Sequence, residues 1–183
     1  MTPQESIDQA FLQLTFAIKL LMYVEKGKVE KSDFDCETQV NLRRRNLSFP
    51  EEAFNTYDDI VTAAQNNYLI TLGFTSMVLD QELEAAGYSR DMPKTFSDRD
   101  LRALIYMIRC AFSHPIALSP RWEARGTFAR ELTIKLPSGP LILEMGTLNG
   151  QPFDDLHIGG VENYFELKDE AIRLILSCKE SIT

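Results

Sequence analysis

The stretch from Ser48 to Gly87 constrains the fold most, because it is an almost unbroken helical pattern. It opens with Ser48 as a candidate N-cap, Pro50 in the first turn and Glu51 three residues after the cap, and it closes on Gly87. Apolar residues recur along one side at helical spacing: Phe54, Tyr57, Ile60 or Val61, Ala64, Tyr68, Leu72, Thr75, Leu79 and Leu83. A helix of nearly forty residues needs partners along its length, so the stretch predicts a helical bundle.

Two further amphipathic patterns supply partner helices. Between Ser6 and Lys28, apolar residues recur at spacings of three and four, which predicts a first helix that ends near Gly27. A third helix is predicted from Ser97 to Pro115, with acidic residues in its first turn, where the helix dipole favours them. Gly73, inside the long helix, is a candidate kink.

The segment between the first and second helices has little periodicity. Residues 29–49 predict a connector with a short strand at 37–42. Arg43, Arg44 and Arg45 stand together in it, and such a run is typical of a solvated turn, with phosphate contact as the alternative.

After Pro120 the pattern changes from helix to strand. Residues 128–136 and 141–148 alternate in polarity around a Pro-Ser-Gly-Pro turn, which predicts a β-hairpin. A weak third strand is expected at 156–158, and residues 161–179 predict a last helix.

These patterns together predict one mainly helical domain over residues 1–183. Its parts are an antiparallel helical core at 6–115, a hairpin at 125–150 and a C-terminal helix at 161–180.

The acidic charge of the chain limits the ligands that it can hold. The formal net charge is -8 at pH 7, which argues against a surface that binds nucleic acid by bulk electrostatics. Residues 90–135 differ, since they contain nine basic and five acidic side chains, a net charge of +4. RNA or another polyanion is therefore expected only at this local basic patch.

Cysteine usage and hydropathy indicate a cytoplasmic protein. Cys36, Cys110 and Cys178 are odd in number and form no CxxC pair, so neither a disulfide framework nor a zinc knuckle is indicated. Charges interrupt the apolar runs, such as residues 101–108, before they reach the roughly 18 residues of a membrane span. No membrane contact is expected.

Familiar site motifs are missing from the sequence, including phosphate loops, nucleophile elbows and paired-histidine zinc helices. Cys110 and His114 lie one turn apart, but no second half of a metal site is visible, so neither a metal nor a cofactor is expected. The other histidine, His157, follows Asp154 and Asp155 and is predicted to be a surface loop residue. A base oriented by a carboxylate is the alternative for His157.

The segment "IRCAFSHP" places Arg109 and His114 five residues apart, or about 140° around an ideal helix. Because the residue before a proline is driven out of the helical region, the helix should unwind at His114. The imidazole can then turn toward the side that carries Arg109 and the secondary candidates Arg102, Tyr106 and Ser113. The structural alternatives are that His114 caps the helix and that Arg109 pairs with an acid of a neighbouring helix.

An arginine followed by a histidine at the proline-stopped end of a third helix, after a long second helix, resembles the HEPN family. Arg109 and His114 match its two defining positions, and Ala111 and Phe112 match the usual filler. Cys110 stands where the family usually has a polar residue. The resemblance covers about residues 6–115.

The resemblance implies a HEPN-like bundle and metal-independent RNA cleavage at a cleft between two copies. Histidine would move protons, and arginine would stabilise the charge on phosphorus oxygens. Because each copy has one such histidine, a homodimer through the third helix is expected. The role of a toxin with a protein antitoxin fits this activity. A non-catalytic HEPN-like scaffold that binds a protein or a nucleotide is the alternative.

Overall fold

The computed structural model describes residues 1–43, 45–49, 52–90, 96–113 and 119–180, and over these ranges the chain is mainly helical. Its helices are α1 (Pro3–Glu25), α2 (Lys31–Phe34), α3 (Tyr57–Ala85), α4 (Phe96–Ala111), α5 (Met145–Leu148) and α6 (Gly160–Glu180). Its strands form two antiparallel hairpins, β1 (Thr38–Leu42) with β2 (Arg45–Phe49), and β3 (Glu131–Leu136) with β4 (Gly139–Glu144). The prediction of a mainly helical fold with a hairpin before the last helix is confirmed.

Helix α1 begins at a capping box. The Thr2 hydroxyl accepts a hydrogen bond from the Glu5 backbone N–H, and the Glu5 carboxylate accepts one from the Thr2 N–H, which satisfies two donors of the first turn. By length and composition alone, α1 is apolar enough to cross a membrane. Core helices of soluble proteins meet the same criterion, and one side of α1 packs against α3 and α6.

Helix α3 is shorter than predicted. The proposed N-cap at Ser48 is wrong, because Ser48 lies in β2 opposite Gln39. The helix starts at a later capping box, in which Thr56 is the N-cap and Asp59 completes the pair of hydrogen bonds. Residues 50 and 51, the rest of the predicted start, lie outside the described residues.

The connector between α1 and α3 contains a hairpin where a single strand was expected. The predicted strand at 37–42 is confirmed as β1, which pairs with β2. Arg43 is exposed in the turn between them, as predicted, and Arg44 lies outside the described residues. The prediction is wrong for Arg45, which begins β2 opposite Leu42. Every residue of β1 is exposed, so this hairpin adds little to the core.

Helix α4 lies at the centre of the core. It packs against α3, α6 and β3, and residues 100–105 are all buried. Helix α3 runs through Gly73 without interruption. A side chain at Gly73 would come within 2.8 Å of the Phe112 ring, so the glycine makes room for the chain that follows α4.

A buried carboxylate fastens the second hairpin to α4. Asp100 has no exposed surface. It accepts a hydrogen bond from the Thr133 backbone N–H at 2.9 Å, and Arg130 Nη1 lies 2.7 Å from its Oδ1. Arg99 Nε approaches the same oxygen at 3.7 Å. The position of β3 against α4 is therefore set by charge-assisted contacts as well as by apolar packing.

The C-terminal part corrects several predicted boundaries. Strand β3 begins at Glu131, after a 3-10 turn that contains Phe128. Strand β4 is shorter than expected, because residues 145–148 form α5. The weak third strand predicted at 156–158 is wrong, since Asp155–Ile158 form a 3-10 helix. The last predicted helix is confirmed as α6.

Trp122 connects the chain before β3 with the chain before α6. Its indole is fully buried, and its ring centroid lies 5.0 Å from that of Phe153. Phe153 in turn contacts Phe112, just after α4, at 5.0 Å. The core thus continues from the helices into the C-terminal part of the chain.

Candidate functional site

Arg102 is buried at the contact between α3 and α4. Its Nη1 lies 2.6 Å from Asp80 Oδ1 of α3, and its Nε donates a hydrogen bond to the Tyr88 carbonyl at 2.7 Å. The side chain is only 3% exposed, so this predicted secondary site residue is in the first place a structural one. Within the described chain, its Nη2 has no hydrogen-bond partner.

Two further arginines converge on the same carboxylate. Arg109 Nε and Arg90 Nη2 each lie 3.8 Å from Asp80 Oδ2, and their side chains are 35% and 36% exposed. The structural alternative for Arg109, pairing with an acid of a neighbouring helix, is thereby confirmed. Asp80, Arg90, Arg102 and Arg109 are called the arginine cluster below.

The arginine cluster carries more positive than negative charge. Three guanidinium groups surround one carboxylate, which leaves a net charge of +2 on these four side chains. Because the buried pair of Arg102 and Asp80 anchors the cluster, the excess charge faces outward on Arg90 and Arg109. Guanidinium groups in this arrangement suit phosphate or carboxylate ligands.

Tyr106 adjoins the arginine cluster, one helical turn before Cys110. The Arg90 guanidinium lies over the Tyr106 ring, 3.9 Å from its centroid. A hydrogen bond with Cys110 raises the pKa of the Tyr106 hydroxyl, as does burial, while the nearby Arg90 and Arg109 lower it.

Ser113 and His114 complete the predicted site residues. Ser113 is exposed, and its hydroxyl donates a hydrogen bond to the Arg109 carbonyl at 2.7 Å, which ties it to the end of α4. The helix ends at Ala111, earlier than the predicted end at Pro115, and residues 112 and 113 already form a turn. His114 lies outside the described residues, so its approach to Arg109 stays a prediction.

The second histidine, His157, is half-buried and bonded. Its Nδ1 accepts a hydrogen bond from Trp122 Nε1 at 3.1 Å, so the prediction of a plain surface loop residue is incomplete. His157 lines a surface cavity of about 350 Å³ together with Asp154 and Asp155. Burial raises the pKa of Asp155, against the opposing effect of a hydrogen bond from Tyr68.

The His157 cavity offers carboxylates but no arginine. In the part of the chain that the structure describes, no group of three or more histidine, cysteine, aspartate or glutamate side chains is placed to hold a metal ion. The arginine cluster is therefore the stronger candidate for ligand binding.

Sequence reasoning missed Asp80 and Arg90. A weak signal for Asp80 exists, because it follows Gly73 and Ser76 at helical spacing, and all three are buried. Small residues on one side of a helix permit close approach of a neighbour, and an acid on that side then requires a cation. No comparable signal marks Arg90, since its position depends on the chain after α3.

No family model, curated protein or solved structure matches the chain. The fold and the arginine cluster define a mainly helical protein with a local cationic surface, and its function is inferred from those residues.

Proposed function

We propose that the chain is a metal-independent endoribonuclease of the HEPN type, in which Arg109 and His114 act on an RNA phosphate. The observation that carries this proposal is the excess charge of the arginine cluster. Arg109 and Arg90 are both about one-third exposed, and within the described ranges they share the carboxylate of Asp80. A phosphate is the ligand that would complete their pairing.

The proposed reaction needs no group beyond those of the chain and the RNA. The ribose 2′-hydroxyl attacks the adjacent phosphorus while a histidine takes its proton, and the bond to the 5′ oxygen breaks. The leaving oxygen takes a proton, so the products are a cyclic phosphate and a 5′-hydroxyl. Arg109 would stabilise the charge that builds on the phosphate oxygens.

A second copy of the chain supplies the second histidine in this proposal. In-line displacement benefits from a base on one side and an acid on the other, and a two-fold axis near the third helix would bring two His114 side chains into one cleft. In a toxin of this kind, an antitoxin protein would cover that cleft.

The alternative function is a non-catalytic HEPN-like scaffold that binds a protein or a nucleotide. The ion pair between Arg109 and Asp80 favours this alternative, because a structural role alone would account for the arginine. The second hairpin, whose Ile142 is exposed, would then serve as a docking edge.

Incubation of mixed RNA with the purified protein in excess EDTA tests the proposal. We expect cleavage with cyclic-phosphate ends, lowered about a hundredfold or more in Arg109→Ala and in His114→Ala. Arg125→Ala is the matched control, because Arg125 is exposed and outside the cluster, and it should cleave like the wild type.

Absence of cleavage by the wild type, or full activity in both variants, would exclude the ribonuclease. RNA or nucleotide binding without cleavage, weakened by Arg109→Ala but not by Arg125→Ala, would instead support the scaffold. Far-UV circular dichroism of each variant controls for loss of fold.

A further inference from the structure

Helix α1 is apolar on its outer side as well as on the inner side that packs against the bundle. Leu12 and Phe16 are 66% and 63% exposed, and Tyr23 continues the same side two turns later. Residues 9–18 carry no charge. A helix that faced only solvent on this side would be expected to show charged and polar residues there.

The outer side of α3 has the same character. Ile70, Phe74 and Met77 follow each other at helical spacing and are each more than two-fifths exposed. Residues 62–79 contain no charged side chain, although this stretch covers five turns of a helix. An exposed surface that is depleted of charged residues is typical of the centre of a protein–protein interface.

These two apolar stripes lie at the same level of the bundle. At one end, the Tyr57 hydroxyl of α3 donates to the Val24 carbonyl of α1. Further along, Tyr164 contacts both Phe11 of α1 and Thr75 of α3. The two helices therefore run antiparallel. The exposed apolar residues on their outer sides are called the outer apolar face: Leu12, Phe16, Ile70, Phe74 and Met77.

We propose that a second copy of this chain covers the outer apolar face, with α1 antiparallel to α1 of the partner. Charge along the exposed side of α1 supports this occupant. Its beginning is acidic, with Glu5 and Asp8, and its end has a basic excess, with Lys19 and Lys26 against Glu25. Asp8 also lies 3.7 Å from Lys168 of α6, but it stays half-exposed. A two-fold axis near Phe16 would place the acidic end of each copy beside the basic end of the other.

The basic end of α1 also has a shape that an acidic partner fits. A surface cavity of about 280 Å³ lies there among Lys19, Lys26, Lys28, Met22 and Tyr23. A parallel arrangement of the two helices would instead place lysines against lysines. The antiparallel pair is thus the one that satisfies both apolar burial and charge.

This surface is separate from α4, through which a dimer was predicted from the sequence. Most of α4 is covered by α3, α6 and β3 within one chain, whereas the outer apolar face is free. The inference does not rest on ribonuclease activity, and the two can fail independently.

Sedimentation equilibrium over a range of concentrations tests the proposal. We expect a dimer whose dissociation constant rises about tenfold or more in Phe16→Glu and in Phe74→Glu. Leu156→Glu is the matched control, because Leu156 is an exposed apolar residue outside this surface, and it should dimerise like the wild type.

A charge exchange tests the antiparallel arrangement. Lys19→Glu should weaken the dimer, as should Asp8→Lys, and the protein with both changes should recover most of the affinity. A wild-type monomer at all concentrations, or a dimer insensitive to Phe16→Glu and Phe74→Glu, would overturn the proposal. Sedimentation of a monomeric wild type with phosphatidylcholine–phosphatidylglycerol vesicles would overturn it in favour of a membrane surface.

Discussion

Asp80 and Asp100 are two buried carboxylates with arginine partners, yet they have different consequences. Asp100, on α4, pairs with Arg130 and also accepts a backbone hydrogen bond from Thr133 of β3. Asp80, on α3, is contacted by the side chains of three arginines among the residues that the structure describes. The first carboxylate joins α4 to a hairpin, and the second leaves positive charge at the surface.

The difference shows that burial of an ion pair does not by itself indicate a functional site. Both carboxylates are required by the fold, because an unpaired charge in the interior is costly. What distinguishes Asp80 is the number of cations around it, since three arginines reach it and two, Arg99 and Arg130, reach Asp100. A candidate site is therefore recognised by an excess of positive over negative side chains, rather than by how deeply the ion pair is buried.

The largest expected effect is loss of stability when either carboxylate is removed. Asp80→Ala leaves the buried Arg102 without its partner and should lower the free energy of unfolding by about 3–5 kcal/mol, measured by urea denaturation. Asp100→Ala should cost a similar amount. A loss below about 1 kcal/mol for Asp80→Ala would mean that Arg102 is not held by this pair.

The two carboxylates should differ in ligand binding, which Asp80→Asn and Asp100→Asn separate. The first change frees two exposed arginines, so affinity for a short RNA should rise, while the second should leave that affinity unchanged. Fluorescence anisotropy with labelled RNA measures both. Equal effects of the two variants on RNA affinity would contradict the distinction between Asp80 and Asp100.

A smaller effect is expected at Gly73, on the same side of α3 as Asp80. A methyl group there would lie 2.8 Å from the Phe112 ring, and displacement of that ring should cost about 1–3 kcal/mol. The greater helix propensity of alanine offsets this cost by up to about 1 kcal/mol. Gly73→Ala should therefore lower stability by about 1–2 kcal/mol in urea denaturation, and a gain in stability would show that Phe112 moves freely.

The smallest effect concerns Asp155, a half-buried carboxylate without an arginine partner in the described chain. Burial raises its pKa in the folded protein above the usual 3.8, so the folded state binds the proton more tightly than the unfolded state. Stability is therefore lost as the pH rises from 3.8 through the raised pKa. Asp155→Asn should stabilise the protein at neutral pH, and this gain should vanish in acid.

Urea denaturation of the wild type and Asp155→Asn across that pH range measures the effect. A destabilised Asp155→Asn at neutral pH would mean that the hydrogen bond from Tyr68 outweighs burial.

Elements in which the spacing of apolar residues stays regular over a long stretch were predictable from the sequence. Helices α1, α4 and α6 and the second hairpin follow directly from the spacing of apolar residues. The start of α3 was not, because Ser48 and Thr56 both offer capping signals and only the pairing of β2 with β1 decides between them.

The candidate site was predictable only in part, for a similar reason. Arg109 and Tyr106 are on the helix that carries the motif, so their neighbourhood follows from helical geometry. Asp80 and Arg90 come from other segments, and their meeting depends on how α3 and α4 pack. A single sequence shows which side of a helix is apolar, but not which acid on a second helix will face it.

The contact between Trp122 and His157 has a practical consequence. The chain has a single tryptophan, and its buried indole lies against Phe153 and His157, while Phe153 also contacts Phe112 just after α4. Its fluorescence therefore reports the docking of the C-terminal segment against the helices, whereas the helical circular dichroism reports the bundle itself. The molecule thus contains an optical probe that can tell whether these two parts unfold together or one before the other.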